Sequence, residues 1–209
     1  MLSIKRLLDF TASFIGLMIL SPLFAIIAVA IKIDDSGPVI FCQERAGTDG
    51  RIFQVIKFRS MVVDAAKKGA GVFVEEDDPR ITRVGKVLRS YSLDELPQLI
   101  NVLKGEMSLV GPRPTLSYQV ERYNEKQRRR LSVRPGITGW AQVNGRSALN
   151  WPERIELDIW YVDNWSFWLD IKILIKTIYV VLGKDGLYRE VKEDPISGKA
   201  KGKNNYSSS

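Results

Sequence analysis

The 209-residue chain contains no histidine and one cysteine, Cys42. Without histidine there is no Ser-His-Asp triad, no Cys-His pair and no histidine-ligated zinc or iron. A single cysteine makes neither an internal disulfide nor a four-cysteine metal site, so nothing points to an oxidising compartment. Any acid, base or nucleophile has to be a carboxylate, lysine, tyrosine, serine or threonine. Any metal should be a hard, oxygen-liganded ion such as Mg2+. Walker-type and dinucleotide glycine motifs are missing, and so are internal repeats. What is present is an excess of base, +7 in formal charge, on a chain with 45% hydrophobic and 26% charged residues. That composition suits one domain with a substantial core, and the positive balance points to anionic partners: nucleic acid, phosphorylated small molecules or an anionic membrane surface.

Charge is lacking locally as well. Phe10 to Ile31 carries no charged residue, and a run of about 20 apolar residues can cross a bilayer. Ser21-Pro22 interrupts it, and a proline removes a backbone donor and clashes with the preceding turn. As a helix, each half reaches only about 15 Å, roughly half of the hydrocarbon core. Lys5 and Arg6 precede the segment and Lys32 follows it, and basic residues prefer the cytoplasmic side. A helix that enters, breaks at Ser21-Pro22 and returns to the same face satisfies both observations. A kinked span is the alternative, since membrane helices tolerate proline. Ala28-Val29-Ala30 mimics a signal-peptidase site, but the apolar stretch before it is too long and is divided by proline.

After Asp34-Asp35-Ser36-Gly37-Pro38, Val39–Cys42 and Phe53–Phe58 read as strands of a hairpin. Asp64–Lys68 is a weak helix, and Asp78-Pro79 opens another that runs through Leu88. Ser92–Leu103 has Leu93, Leu96, Leu99, Ile100 and Leu103 on one side, with Gly105 as C-cap. Gln119–Leu131 reads as a charged helix, and Arg134–Trp140 and Asn144-Gly145-Arg146 as loops. Trp151–Leu182 holds four of the five tryptophans beside an apolar stretch broken by Asp170, Lys172 and Lys176. It is too charged to span. It reads either as an interfacial helix or as a core helix with a solvated face. From 184 the chain turns polar and reads as a disordered tail. The expected fold class is α+β, mainly helical, with segments at 1–36, 37–183 and 184–209.

Ser92-Leu93-Asp94-Glu95 matches a capping box, with Ser92 as N-cap and Glu95 at N3. On that reading the two carboxylates do nothing beyond capping and complementing the helix dipole. The same physics permits chemistry. A carboxylate kept ionised at a helix start is available as a nucleophile, and its neighbour can bind Mg2+. Around the pair the sequence places Arg45, Arg51, Lys57, Arg59, Arg80, Arg83, Lys86, Arg89, Arg113, Arg134 and Arg146. Arg113 lies between Pro112 and Pro114, on a stiff loop. Arginine grips phosphate as a bidentate fork, so the set favours a polyanion, of which a diphosphate with Mg2+ is the natural small example.

These residues form an ordered series. Ser21-Pro22 is followed by Lys57-Phe58-Arg59-Ser60-Met61, Ser92–Leu99, Asn101–Ser108, Val110-Gly111-Pro112-Arg113-Pro114 and Arg134–Arg146. In order and content the chain resembles the small monotopic phosphoglycosyl transferases, the bacterial sugar transferase family, over about residues 1–183. It resembles the short members that have no additional multi-span domain. The resemblance implies transfer of a sugar-1-phosphate from a UDP-sugar to polyprenol (undecaprenyl) phosphate, with release of UMP, as the first membrane step in glycoconjugate assembly. It implies Asp94 as nucleophile, Glu95 as Mg2+ holder, and Arg113 as a phosphate ligand. Lys57, Arg59 and Arg89 are further substrate-binding candidates, and Arg146, Gln142 and Asn144 are candidates for the nucleotide end. It also implies a re-entrant helix at Ser21-Pro22 in the inner membrane, interfacial amphipathic helices and a cytoplasmic catalytic domain. Self-association into a homo-oligomer is left open, and so is the sugar.

Two other readings compete. A membrane-tethered nucleic-acid binder would interleave aromatic and basic residues, whereas the tryptophans here cluster at 151–168. A non-catalytic membrane scaffold would leave Asp94 dispensable.

Overall fold

Helix α1 (Leu2–Asp34) takes up the whole apolar N-terminal segment without interruption, Pro22 included. The computed structural model describes residues 2–65, 78–145 and 149–183. The break expected at Ser21-Pro22 is therefore absent from the helical backbone, and the reason is local. Pro22 cannot donate to the Met18 carbonyl, four residues back, and the Ser21 hydroxyl does so in its place at 2.8 Å. The helix is long and apolar enough to cross a membrane. Ile4, Leu7, Phe14, Met18, Ile19, Ile26, Val29 and Ile33 are exposed along it.

Its other face packs on the rest of the protein at both ends. Near the start, Arg6 donates to the Val102 and Leu103 carbonyls, Lys5 pairs with Asp170, and Asp9 accepts from the Ser108 hydroxyl at 2.7 Å. Near the end, Ile27 and Ile31 are buried against Phe58 and Leu88, and Asp34 accepts the Val84 amide at 2.9 Å.

Strands β1 (Ile40–Ala46) and β2 (Ile52–Phe58) form the expected antiparallel hairpin, with Ile40 opposite Phe58 and Ala46 opposite Ile52. Helix α2 (Arg83–Ser90) starts later than Asp78-Pro79. Thr82 caps it by accepting the Gly85 amide at 2.9 Å, while Asp78 forms a two-point ion pair with Arg80. Gly85 is required by packing: a Cβ there would lie 2.0 Å from the Ser60 carbonyl oxygen, so α2 sits directly on the chain leaving β2.

Helix α3 is short (Gln98–Lys104) and ends on Gly105 in the left-handed region, as expected of a C-cap. Strand β3 (Ser108–Val110) pairs in parallel with β4 (Gly136–Thr138), a pairing that the loop reading of 134–140 missed. It depends on backbone approach, because a Cβ on Gly136 would sit 2.1 Å from the Gly111 nitrogen.

The single charged helix expected at Gln119–Leu131 is instead two, α4 (Ser117–Glu121) and α5 (Glu125–Arg128), followed by a 3-10 turn. Asn124 divides them by capping α5, accepting the Gln127 amide at 2.9 Å. Helix α6 (Trp140–Val143) leads to α7 (Trp151–Asp163) and α8 (Phe167–Gly183). The region read as one lipid-leaning stretch is thus two helices, separated after Asp163 by Asn164. The tail from 184 lies outside the described residues.

Candidate active site

The dyad does not begin a capped α-helix. Ser92 is left-handed (φ 54°) and makes no side-chain cap bond, and Leu93–Glu95 forms a 3-10 turn ahead of α3. The capping box fails because Glu95 is used elsewhere. Its Oε1 accepts Lys57 Nζ at 2.9 Å and an Arg113 terminal nitrogen at 2.7 Å. Oε2 accepts the second Arg113 nitrogen at 3.2 Å. Three separate segments therefore meet at one carboxylate: β2 through Lys57, the 3-10 turn through Glu95 and the Gly111–Pro114 loop through Arg113.

Asp94 is the contrasting partner. It is 8% exposed, and none of the hydrogen bonds among the described residues ends on its carboxylate. Burial, reinforced by the adjacent Glu95 charge, raises its pKa to about 6, against the pull of Lys57, Arg89 and Arg113. Burial also opposes ionisation of Glu95, but there Arg113 and Lys57 outweigh it and hold the carboxyl well below its usual range. Burial lowers the Lys57 pKa, and Glu95 offsets part of that. Two neighbouring carboxylates with opposite shifts are a signature of divided chemical roles.

Two polar anchors hold this geometry. Asn101, fully buried in α3, accepts the Ile56 amide at 3.0 Å and donates to the Gln54 carbonyl at 2.7 Å. It fixes β2 beside Lys57. Arg130 donates to the Arg113 carbonyl at 3.0 Å from a buried pair with Asp158, steadying the arginine loop. Neither residue is among the site candidates read from the sequence. An asparagine inside the apolar run Leu99–Leu103 was the available signal for the first.

The structure gathers Lys57, Arg89, Asp94, Glu95 and Arg113. It does not bring Arg59 to them: its guanidinium, 6% exposed, binds Asp35 at 2.6 Å through both the carboxylate and the main-chain carbonyl. Arg59 ties the end of β2 to the end of α1. Asn144 donates to the Trp140 carbonyl at 2.7 Å and accepts Lys176 at 3.2 Å, which joins α6 to α8. Gln142 lies in α6 with both amide atoms buried and, among the described residues, without a hydrogen-bond partner. Arg146 lies outside the described residues. Ser21 and Pro22 lie in mid-α1, as described above.

The donor set suits Mg2+. Among the described residues no three acidic or sulfur side chains converge, and Mg2+ commonly takes one or two carboxylates and completes its shell with water and substrate phosphates. Of the two Glu95 oxygens, Oε2 carries only the longer Arg113 bond and keeps acceptor capacity.

Residues 1–184 match the family described as bacterial sugar transferase. The chain is 47% identical over 184 residues to the uncharacterized sugar transferase EpsL of Bacillus subtilis, covering 88% of this chain and 90% of that protein. It is 48% identical over 189 residues to an undecaprenyl-phosphate glucose phosphotransferase of Komagataeibacter xylinus, covering 83% of this chain and 35% of that one. It is 44% identical over 199 residues to an undecaprenyl-phosphate galactose phosphotransferase of Salmonella typhimurium, covering 88% and 42%. The chain thus spans nearly all of the first relative and less than half of the other two.

Proposed function

The chain belongs to the bacterial sugar transferase family, and on that premise we propose that it moves a sugar-1-phosphate from a UDP-sugar to polyprenol (undecaprenyl) phosphate and releases UMP. The observation that carries this reading is the division of labour in the dyad. Asp94 is buried and, among the described residues, receives no hydrogen bond, whereas Glu95 is gripped by Arg113 and Lys57. An unsolvated carboxylate without donors is a stronger nucleophile than a hydrogen-bonded one. Two relatives' names supply the acceptor class, undecaprenyl phosphate; the UDP-sugar donor rests on the sequence resemblance.

In the first half-reaction an Asp94 oxygen attacks the sugar-bearing phosphorus. The P–O bond to the nucleotide phosphate breaks, its electron pair leaves with UMP, and Asp94 carries the phosphosugar. In the second, an oxygen of polyprenol phosphate attacks that phosphorus and Asp94 is released. Arg113, Lys57 and Arg89 bind and orient the diphosphate. Glu95 would hold Mg2+, which when bound supplies neutralisation of the phosphate charge. The sugar is left open, since the relatives named for glucose and for galactose are about equally similar to this chain.

The lipid acceptor requires the site to lie at a membrane surface. As a helix of 33 residues, α1 is about 50 Å long, and its two ends are bound by one and the same domain, through Lys5, Arg6 and Asp9 and through Asp34. This supports a re-entrant α1 with both ends on the cytoplasmic face of the inner membrane. Helix α8 exposes Trp168, Ile175, Ile178, Tyr179 and Leu182, with Lys172 on the same exposed side, which supports an interfacial position. The test is UMP release by the full chain from a panel of UDP-sugars with Mg2+ and polyprenol phosphate. Activity with at least one sugar that vanishes in Asp94→Asn is expected; full activity in that variant overturns the reading.

A further inference from the structure

The β1–β2 hairpin presents one face to the site. Directly opposite residues of an antiparallel pair point the same way. The pairs Phe41–Lys57, Gln43–Val55 and Arg45–Phe53 therefore put Lys57, Gln43 and Arg45 on a common face. Lys57 and Arg45 are four positions apart along it, about 13 Å. The next residue, Ala46, hydrogen-bonds through its amide to the Thr115 carbonyl at 2.8 Å, so the end of β1 lies against the loop that carries Arg113.

Arg45 differs from the other cations of the cluster. Lys57 and Arg113 are both paired with Glu95. Among the described residues no ion pair reaches Arg45. It donates a hydrogen bond to Gln43 Oε1 at 2.6 Å, a neutral partner two residues back on the same face. Its charge is felt at Arg113, Glu95 and Tyr118, while Asp94 feels Glu95, Lys57, Arg89 and Arg113. The register and the Ala46–Thr115 bond place Arg45 beside the loop that carries Arg113, about 13 Å along the hairpin face from Lys57. With both carboxylates ionised, Arg45, Lys57, Arg89 and Arg113 leave the cluster with an excess of two positive charges.

We propose that Arg45, held in place by Gln43, is the binding residue for the departing nucleotide's phosphate, beside the loop that carries Arg113. This rests on the UDP-sugar reading above and deepens it. A diphosphate with its sugar-bearing phosphorus at Asp94 lies against Arg113, and its nucleotide phosphate is then offered to Arg45 beside the same loop. When the bridging P–O bond breaks, the electron pair remains on that phosphate, whose charge rises by one with no proton needed. An arginine not already committed to a carboxylate gains most from that extra charge. Gln43 is a positioning residue: it orients the guanidinium without neutralising it.

The test is calorimetric binding of UMP and of uridine to the detergent-solubilised full chain. The unaltered protein should prefer UMP. Arg45→Gln should weaken UMP about 10- to 100-fold and leave uridine unchanged. Arg45→Lys should fall between, since it keeps the charge and loses the fork. Gln43→Leu should weaken UMP by less than Arg45→Gln, again without affecting uridine. Asp94→Asn should retain UMP binding, which separates this role from the nucleophile. Unchanged UMP affinity in Arg45→Gln overturns the proposal, and so does an equal loss for UMP and uridine, which marks a structural role. An unaltered protein that does not distinguish UMP from uridine overturns the donor reading together with it.

Discussion

Arg113 holds Glu95 with both terminal nitrogens, at 2.7 and 3.2 Å, from a side chain that is itself 44% exposed. It is therefore both a clamp on the dyad and a cation facing the open side of the site. Lysine offers one point charge in place of the fork. Arg113→Lys should lower kcat/KM for UMP release about 10-fold or more, and Arg113→Ala about 100-fold or more. Equal activities in the two variants would show that the bidentate geometry is irrelevant.

Asp94 sets a pH dependence. Its pKa is raised from 3.8 to about 6, and the nucleophile is the ionised form, so the rate of the first half-reaction should climb through pH 6 and level off above it. The same shift has a cost in stability. Between about pH 4 and 6 the folded state binds more protons than the unfolded one, so stability falls as pH rises through that window, and the full penalty applies above it. Asp94→Asn should accordingly stabilise the inactive protein by about 1–3 kcal/mol at pH 7.5, with the gain disappearing below pH 4. Denaturant melts at the two pH values measure it.

Asn101 is fully buried and satisfies the Ile56 amide and the Gln54 carbonyl. Asn101→Leu leaves both without that partner, at an expected cost of about 2–4 kcal/mol. It also loosens β2 next to Lys57, so kcat should fall even where the variant remains folded. A folded variant with full kcat would show that Asn101 does not position Lys57.

Ile4, in the first turn of α1, and Ser36, just past its end, are both exposed. In a Cys42→Ser background, Ile4→Cys and Ser36→Cys should react with a membrane-impermeant thiol reagent from the same side of sealed inner-membrane vesicles, the cytoplasmic one. Labelling from opposite sides would establish a span.

Where the chain states its periodicity it was readable. The hairpin follows from alternation over Phe53–Phe58, and the α3 C-cap from Gly105. What was not readable depends on tertiary partners. Ser92-Leu93-Asp94-Glu95 reads as a capping box only as long as Glu95 has no stronger partner, and Lys57 and Arg113, distant in sequence, supply one. The β3–β4 pairing has three residues per strand and rests on glycine backbone contact, which leaves no hydrophobic pattern. Among the arginines, sequence could not tell Arg59, consumed by Asp35, from Arg45, which forms no ion pair among the described residues. Proline at position 22 signalled a break, but the Ser21 hydroxyl bridges it.

The central claim is the covalent role of Asp94, and intact-protein mass spectrometry tests it most directly. The full chain is incubated with Mg2+ and an accepted UDP-sugar, without polyprenol phosphate. The account predicts one equivalent of UMP and a mass increase equal to one sugar phosphate less water, located on the peptide that contains Asp94 and absent in Asp94→Asn. An unmodified protein that releases UMP only when polyprenol phosphate is present would contradict it.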